Sequence, residues 1–224
     1  PRSDFQWYMV ADSTGDPEVC RHALELGLLD RNYLMIRHLI ETIAGTGNLG
    51  LNEWAFRRLF SHPPDEERGI CFALLGRGPL GQWAIEFAMA TARSIERFRD
   101  SFKDNVLDRT FRSGRLCGYA RDNVLAEIAV VAKDVSLTDE MVDEFTPVLT
   151  RAQIGIETGD PEPIRALDNY YDRASGLAAL GWRLRDEQLL LEACRQFDGE
   201  PKDRKYLYCL CSLIDVATNP PVSP

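Results

Sequence analysis

The residues best suited to chemistry fall into four groups. The first is a glycine turn, Gly76-Arg77-Gly78-Pro79-Leu80-Gly81, with the spacing GxGxxG. An apolar run, Ile70–Leu75, precedes it, and a helix-forming run from Gln82 follows. In a doubly wound dinucleotide-binding fold, Gly76, Gly78 and Gly81 would permit the tight turn and the close approach of a pyrophosphate to a helix N-terminus. That reading makes the chain a small-molecule or NAD(P)-binding enzyme. The wider context opposes it. A second strand ending in an acid belongs about 20 residues further on, but the chain there reads RSIERFRDSFKDN, a helical and mixed-charge sequence. The same glycine spacing recurs at Gly45, Gly47 and Gly50, after a segment with helical periodicity. Both turns therefore also fit helix-to-helix connections with glycine in the left-handed capping position.

The second group is Glu18, His22, His38 and Glu41. Glu18 and His22 are four apart on one expected helix, and His38 and Glu41 are three apart on the next. If the two helices are antiparallel neighbours, two imidazoles and two carboxylates could face one another and hold a divalent metal. Each pair also reads as an ordinary surface pair within one helix.

The third group is a basic stretch in an acidic chain: Arg93, Arg97, Arg99, Lys103, Arg109, Arg112, Arg115 and Arg121. With Glu96, Asp100, Asp104 and Asp108, residues 93–121 carry 8 − 4 = +4, and the remaining chain carries 18 − 31 = −13. Phe98, Phe102, Phe111 and Tyr119 are interleaved, a combination that suits phosphate contact and base stacking in a helical-repeat RNA binder. The acids recur every four residues, however, so many of the arginines can pair within the helix. A contact with an acidic protein surface, another copy of this chain included, accounts for the charge segregation better than nucleic acid does.

The fourth group is acidic. Asp139, Glu140, Asp143 and Glu144 sit where a helix N-terminus would offset their repulsion, and Asp168 and Asp172 share a helical face without a second acidic motif to complete a Mg²⁺ site. No GxSxG elbow is present, and with only His22, His38 and His62 no nucleophile–base pair can be drawn from sequence. This reading leans away from an enzyme and calls for no cofactor; NAD(P) and a divalent metal are the alternatives named above.

The chain that must position these groups has 224 residues, 45% of them hydrophobic and 27% charged, with a formal net charge of −9. That composition is ordinary for a globular protein with a sizeable core. No apolar run approaches the length of a membrane span, so no membrane insertion is expected. The six cysteines (Cys20, Cys71, Cys117, Cys194, Cys209 and Cys211) form no CxxC, and most lie in apolar stretches. They fit small buried hydrophobes in a reducing, intracellular compartment such as the cytoplasm.

Helix-start signals recur at Asp16-Pro17-Glu18, Pro64-Asp65-Glu66, Thr138-Asp139-Glu140 and Asp160-Pro161-Glu162. Periodicity places helices over 17–28, 31–44, 51–61, 65–76, 80–112, 116–133, 138–155, 161–180, 183–197 and 203–217. Residues 82–112 lack glycine and proline, and one continuous helix there would be about 46 Å long. The expected fold is all-α: an irregular multi-helix bundle, or a short solenoid-like array of α-hairpins, around one long central helix. Residues 1–16 form an N-terminal extension, 17–218 a single helical domain and 219–224 a tail. The expected function is that of a non-enzymatic interaction or assembly protein, an adaptor or structural subunit in a homo- or hetero-oligomer.

Overall fold

The computed structural model describes residues 4–61, 65–103, 111–143, 145–197, 210, 211 and 213, with side chains throughout except at 4, 5, 96–103 and 111–119. Every regular element among them is helical, so the all-α class expected from periodicity holds. The chain clusters into two compact units: Pro1–Ala132 with Glu140–Asp143, and Lys133–Asp139 with Glu144–Pro224.

The first unit contains α1 (Asp4–Thr14), α2 (Pro17–Asp30), α3 (Tyr33–Gly45), α4 (Leu49–Phe60), α5 (Glu66–Leu75), α6 (Gln82–Lys103) and α7 (Phe111–Ala132). Local chemistry sets most of the starts. The Asp16 carboxylate accepts the N–H groups of Glu18 and Val19, with Pro17 in the first turn. Asn32, Asn48 and Asp65 cap α3, α4 and α5 in the same way.

Helix α5 occupies the buried centre of this unit. Every residue from Gly69 to Leu75 is buried, because α3, α4, α6 and α7 all pack on it. A helix that is apolar all round must be covered all round. The run Ile70–Leu75, which could have been the strand before a nucleotide-binding turn, is this helix. The glycine segment 76–81 therefore joins α5 to α6, and no strand precedes it. The segment that would have been the strand aiming a pyrophosphate at the α6 N-terminus is thus a helix, and no strand occurs among the described residues.

The longer α6 buries Ala84, Ile85, Ala88, Thr91 and Ala92 along one face and exposes Glu86, Ala90 and Arg93 on the other. Its direction follows from four close approaches. Asn123 of α7 donates to Glu66 at the start of α5 over 2.8 Å, and Arg77, just past the end of α5, reaches Glu127 of α7 at 3.5 Å. Helices α5 and α7 thus run the same way. A Cβ on Gly69 would lie 3.2 Å from Thr91, and one on Gly76 would lie 2.7 Å from Ile85, so α6 runs the opposite way. Helices α6 and α7 form an antiparallel hairpin seated on α5.

The expected helix over 138–155 is interrupted. Residues Val135–Glu140 form a 3-10 helix, and α8 begins only at Thr146. The cause is a tertiary competitor. The fully buried Asp122 of α7 accepts the N–H groups of Val142 and Asp143, both at 2.8 Å, and withholds them from a helical ladder.

The second unit contains α8 (Thr146–Thr158), α9 (Glu162–Arg165), α10 (Tyr170–Leu184) and α11 (Glu187–Arg195). Its core joins Ile164 and Leu167 to Leu177, Leu180, Leu190 and Phe197. Gly155 and Gly176 flank Ile164 so closely that a Cβ on either would lie 2.7 Å from it. The expected helix over 161–180 is divided, because Asn169 caps a new helix at Tyr170. Of the expected helix over 203–217, only 210, 211 and 213 are described, and these are helical.

Candidate functional site

The structure separates the four groups. Glu18, His22, His38 and Glu41 do not form a metal centre. His38 Nδ1 lies 3.4 Å from Glu41 Oε2, and Glu18 pairs with Arg21. Helix α1 supplies the reason. It packs on both α2 and α3. Trp7 sets its ring edge-on to His22 at a centroid distance of 4.5 Å, and Tyr8 lies against His38 at 6.3 Å. Each imidazole thus meets an aromatic ring. Among the described residues no three His, Cys, Asp or Glu side chains converge on a metal position.

The basic stretch lies on the α6/α7 hairpin. Arg93 is exposed on α6; Arg97, Arg99 and Lys103 follow on the same helix, and Arg112 and Arg115 lie in the first turns of α7. Arg109 lies outside the described residues. Arg121 departs from the expected surface role. Its side chain is only 11% exposed, it donates to the Glu140 backbone carbonyl at 2.8 Å, and it pairs with Asp122 and Glu140 at 3.5 and 3.7 Å. It fastens residues 140–143 to α7 and is not offered to a partner.

Two of the acidic residues are tied locally, Glu140 by Arg121 and Asp139 by Arg151. Asp139 pairs with Arg151 at 2.6 Å, while Glu144 lies outside the described residues. Cys20 and Cys71 are buried thiols; Cys194 is half-buried and Cys211 exposed. Burial, reinforced by Glu67, pushes the Cys71 thiol well above its usual range and keeps it protonated.

A concave site lies apart from these groups, and no motif announced it. A cavity of about 370 Å³ opens in the first unit where the α2–α3 turn meets the start of α5. Leu28, Ile36, Leu59 and Cys71 give it apolar walls. Arg31 and Tyr33 stand on the turn side; Asp65, Glu67 and Arg68 stand on the α5 side. The turn is built by local rules. Arg31 takes the left-handed conformation (φ 53°) and donates its N–H to the Gly27 carbonyl, ending α2, and Asn32 then caps α3.

The ionic groups around this cavity are ordered by pairing. Arg37 holds Glu67 in a two-pronged fork, Nε to Oε2 and Nη2 to Oε1, both at 2.7 Å. Burial acts to lower the Arg37 guanidinium, but the Glu67 hydrogen bonds prevail and raise it. The Asp65 carboxylate caps α5 by accepting the Arg68 N–H at 2.9 Å. The Arg68 guanidinium lies 5.7 Å from the ring centroids of both Phe60 and Phe72, and burial lowers its pKa. Three residues of this site carried signals that sequence reading passed over: Arg31, directly after a helical stripe, and the apolar Leu28-Leu29 pair before it.

No protein-family model, no curated protein and no solved structure matches this chain.

Proposed function

We propose that the chain is a non-enzymatic interaction or assembly protein whose α6/α7 hairpin docks on an acidic protein surface, in the first instance that of a second copy. The observation that carries this reading is the placement of charge on the hairpin. Arg93, Arg97, Arg99, Lys103, Arg112 and Arg115 all lie on these two antiparallel helices, in a chain whose remainder is strongly acidic. Helix α5 has ten residues and α6 twenty-two, or about 15 Å against about 33 Å at 1.5 Å per residue. Thr91 and Val124 are already level with Gly69 near the start of α5. The segments bearing Arg97, Lys103, Arg112 and Arg115 therefore run on beyond the helix that seats the hairpin. Opposed charge of this kind steers association and fixes orientation.

Light scattering on the purified chain tests the reading. The wild type is expected to associate at low salt and to dissociate as salt screens the contact. The triple variant Arg97→Glu, Arg112→Glu, Arg115→Glu should be monomeric at both. A triple variant that assembles like the wild type overturns the proposal.

A further inference from the structure

We infer that the cavity between the α2–α3 turn and the start of α5 binds a small amphiphile, an apolar body carrying a single anionic head. This goes beyond the docking role of the hairpin and does not depend on it. The volume, about 370 Å³, falls within the range of small-ligand sites, roughly 300–1,000 Å³. Leu28, Ile36 and Leu59 offer the body an apolar wall from three different helices.

The sign of the head follows from the ionic groups. Two arginines (Arg31 and Arg68) and two carboxylates (Asp65 and Glu67) line the cavity, and Arg37 adjoins it through its fork on Glu67. Both carboxylates are already engaged, Glu67 by the Arg37 fork and Asp65 by the backbone of α5. An anionic head can approach Arg31, which is exposed at the mouth and makes no ion pair among the described residues. A carboxylate, sulfonate or phosphate would satisfy that guanidinium, and a body of two or three aromatic rings, or an alkyl chain of about ten to sixteen carbons, matches the volume.

The probe for the test is anilinonaphthalene sulfonate, which has both parts, with its uncharged parent phenylnaphthylamine as the control. Fluorescence titration of the wild type should show one saturable site per chain for the sulfonate and weaker binding of the parent. Arg31→Gly removes the cation and suits the left-handed backbone at that position, so the fold should be kept or strengthened. It should weaken the sulfonate about tenfold, the effect of losing one charge-assisted hydrogen bond, and leave the parent unchanged. Leu28→Trp, which fills the cavity from a half-buried position, should abolish both while thermal unfolding stays cooperative. Competition by decanoate or by naphthalene carboxylate reports whether the natural body is aliphatic or aromatic. The inference fails if Arg31→Gly binds the sulfonate as the wild type does, if a folded Leu28→Trp retains it, if the parent binds equally well, or if neither competitor displaces the probe.

Discussion

At 45–50 the chain turns from α3 into α4, and at 76–81 it turns from α5 into α6, with the same three-glycine spacing each time. In the first turn the glycines stand in the open: a Cβ on Gly45 or Gly47 would meet nothing within 4 Å. Gly47 is needed for its backbone, with φ at +66°. In the second turn Gly78 is needed for its bareness. A Cβ there would lie 2.7 Å from Asn52 Oδ1 and 2.9 Å from the Ala44 carbonyl oxygen, so the second turn is wedged against the first. Asn52 stands between them, fully buried, and donates to the carbonyls of Ile43 and Asn48, both at 2.9 Å. A motif that would signal pyrophosphate binding after a strand records here two needs of helix packing: left-handed geometry, at Gly47 in the first turn and Gly81 in the second, and close approach, at Gly76 and Gly78 in the second turn alone.

The largest effect should come from Gly78→Val. Its side chain must enter space held by the Ala44 backbone, which cannot swing aside as a flexible side chain would. Overpacking of this kind costs about 3 kcal/mol, enough to lower the urea midpoint markedly in a domain of marginal stability. A dinucleotide site would predict a folded variant that has merely lost nucleotide binding. A Gly78→Val protein as stable as the wild type would break the contrast between the two turns.

Next in size is Asn52→Ala, which strips two buried hydrogen bonds and should cost about 2 kcal/mol. Combined with Gly78→Ala in a double-mutant cycle, it sharpens the comparison. Removing Asn52 Oδ1 relieves part of the clash, so Gly78→Ala should be less damaging in the Asn52→Ala background, with coupling of about 1 kcal/mol. The Ala44 contact persists in both backgrounds. Strict additivity would mean that the turns do not meet through Asn52.

The same contrast between local and distant causes explains what sequence could reveal. Capped starts were legible because cap and helix are neighbours in the chain: Asp16, Pro17 and Glu18 mark α2, and Asp65 marks α5. Elements decided from afar were not. Helix α1 carries no clean apolar stripe, and its place depends on Ala11 being buried and on Trp7 and Tyr8 finding His22 and His38. The helix expected from Thr138 gave way to Asp122, which lies twenty residues before Val142 and takes the N–H groups that helix would have used. The cavity was illegible for the same reason. The Arg37–Glu67 fork spans thirty residues, and the apolar walls come from α2, α3, α4 and α5, so no window of sequence contains it. The basic stretch was legible because its charges fall within one window of the chain; the hairpin that carries it, in place of one long helix over 80–112, and the internal commitment of Arg121 to Glu140 were not.

In the first turn, Gly47→Ala should cost about 1 kcal/mol, because an L-residue pays a steric penalty at positive φ whatever the surrounding space. Gly47→Asn should recover part of that loss, since asparagine tolerates the left-handed region better than alanine. At Gly78 the same pair of substitutions should rank the other way, with Asn the worse because it is larger. Thermal melts of the four variants distinguish a conformational requirement from a spatial one.

The smallest effect has the opposite sign. Gly45 is the last residue of α3, exposed, without positive φ and with nothing near the position of its Cβ. Nothing in the fold requires glycine there. Alanine restricts the unfolded chain more than glycine does and has the higher helix propensity, a gain of up to about 1 kcal/mol in a helix interior. At the final turn, where the ladder frays, roughly half of that should be realised. Gly45→Ala should therefore raise the melting temperature slightly, while Gly47→Ala lowers it and Gly78→Ala lowers it further. The order across three glycines of one repeated spacing is the test: a loss at Gly45 comparable to that at Gly78 would mean that the first turn is as tightly packed as the second.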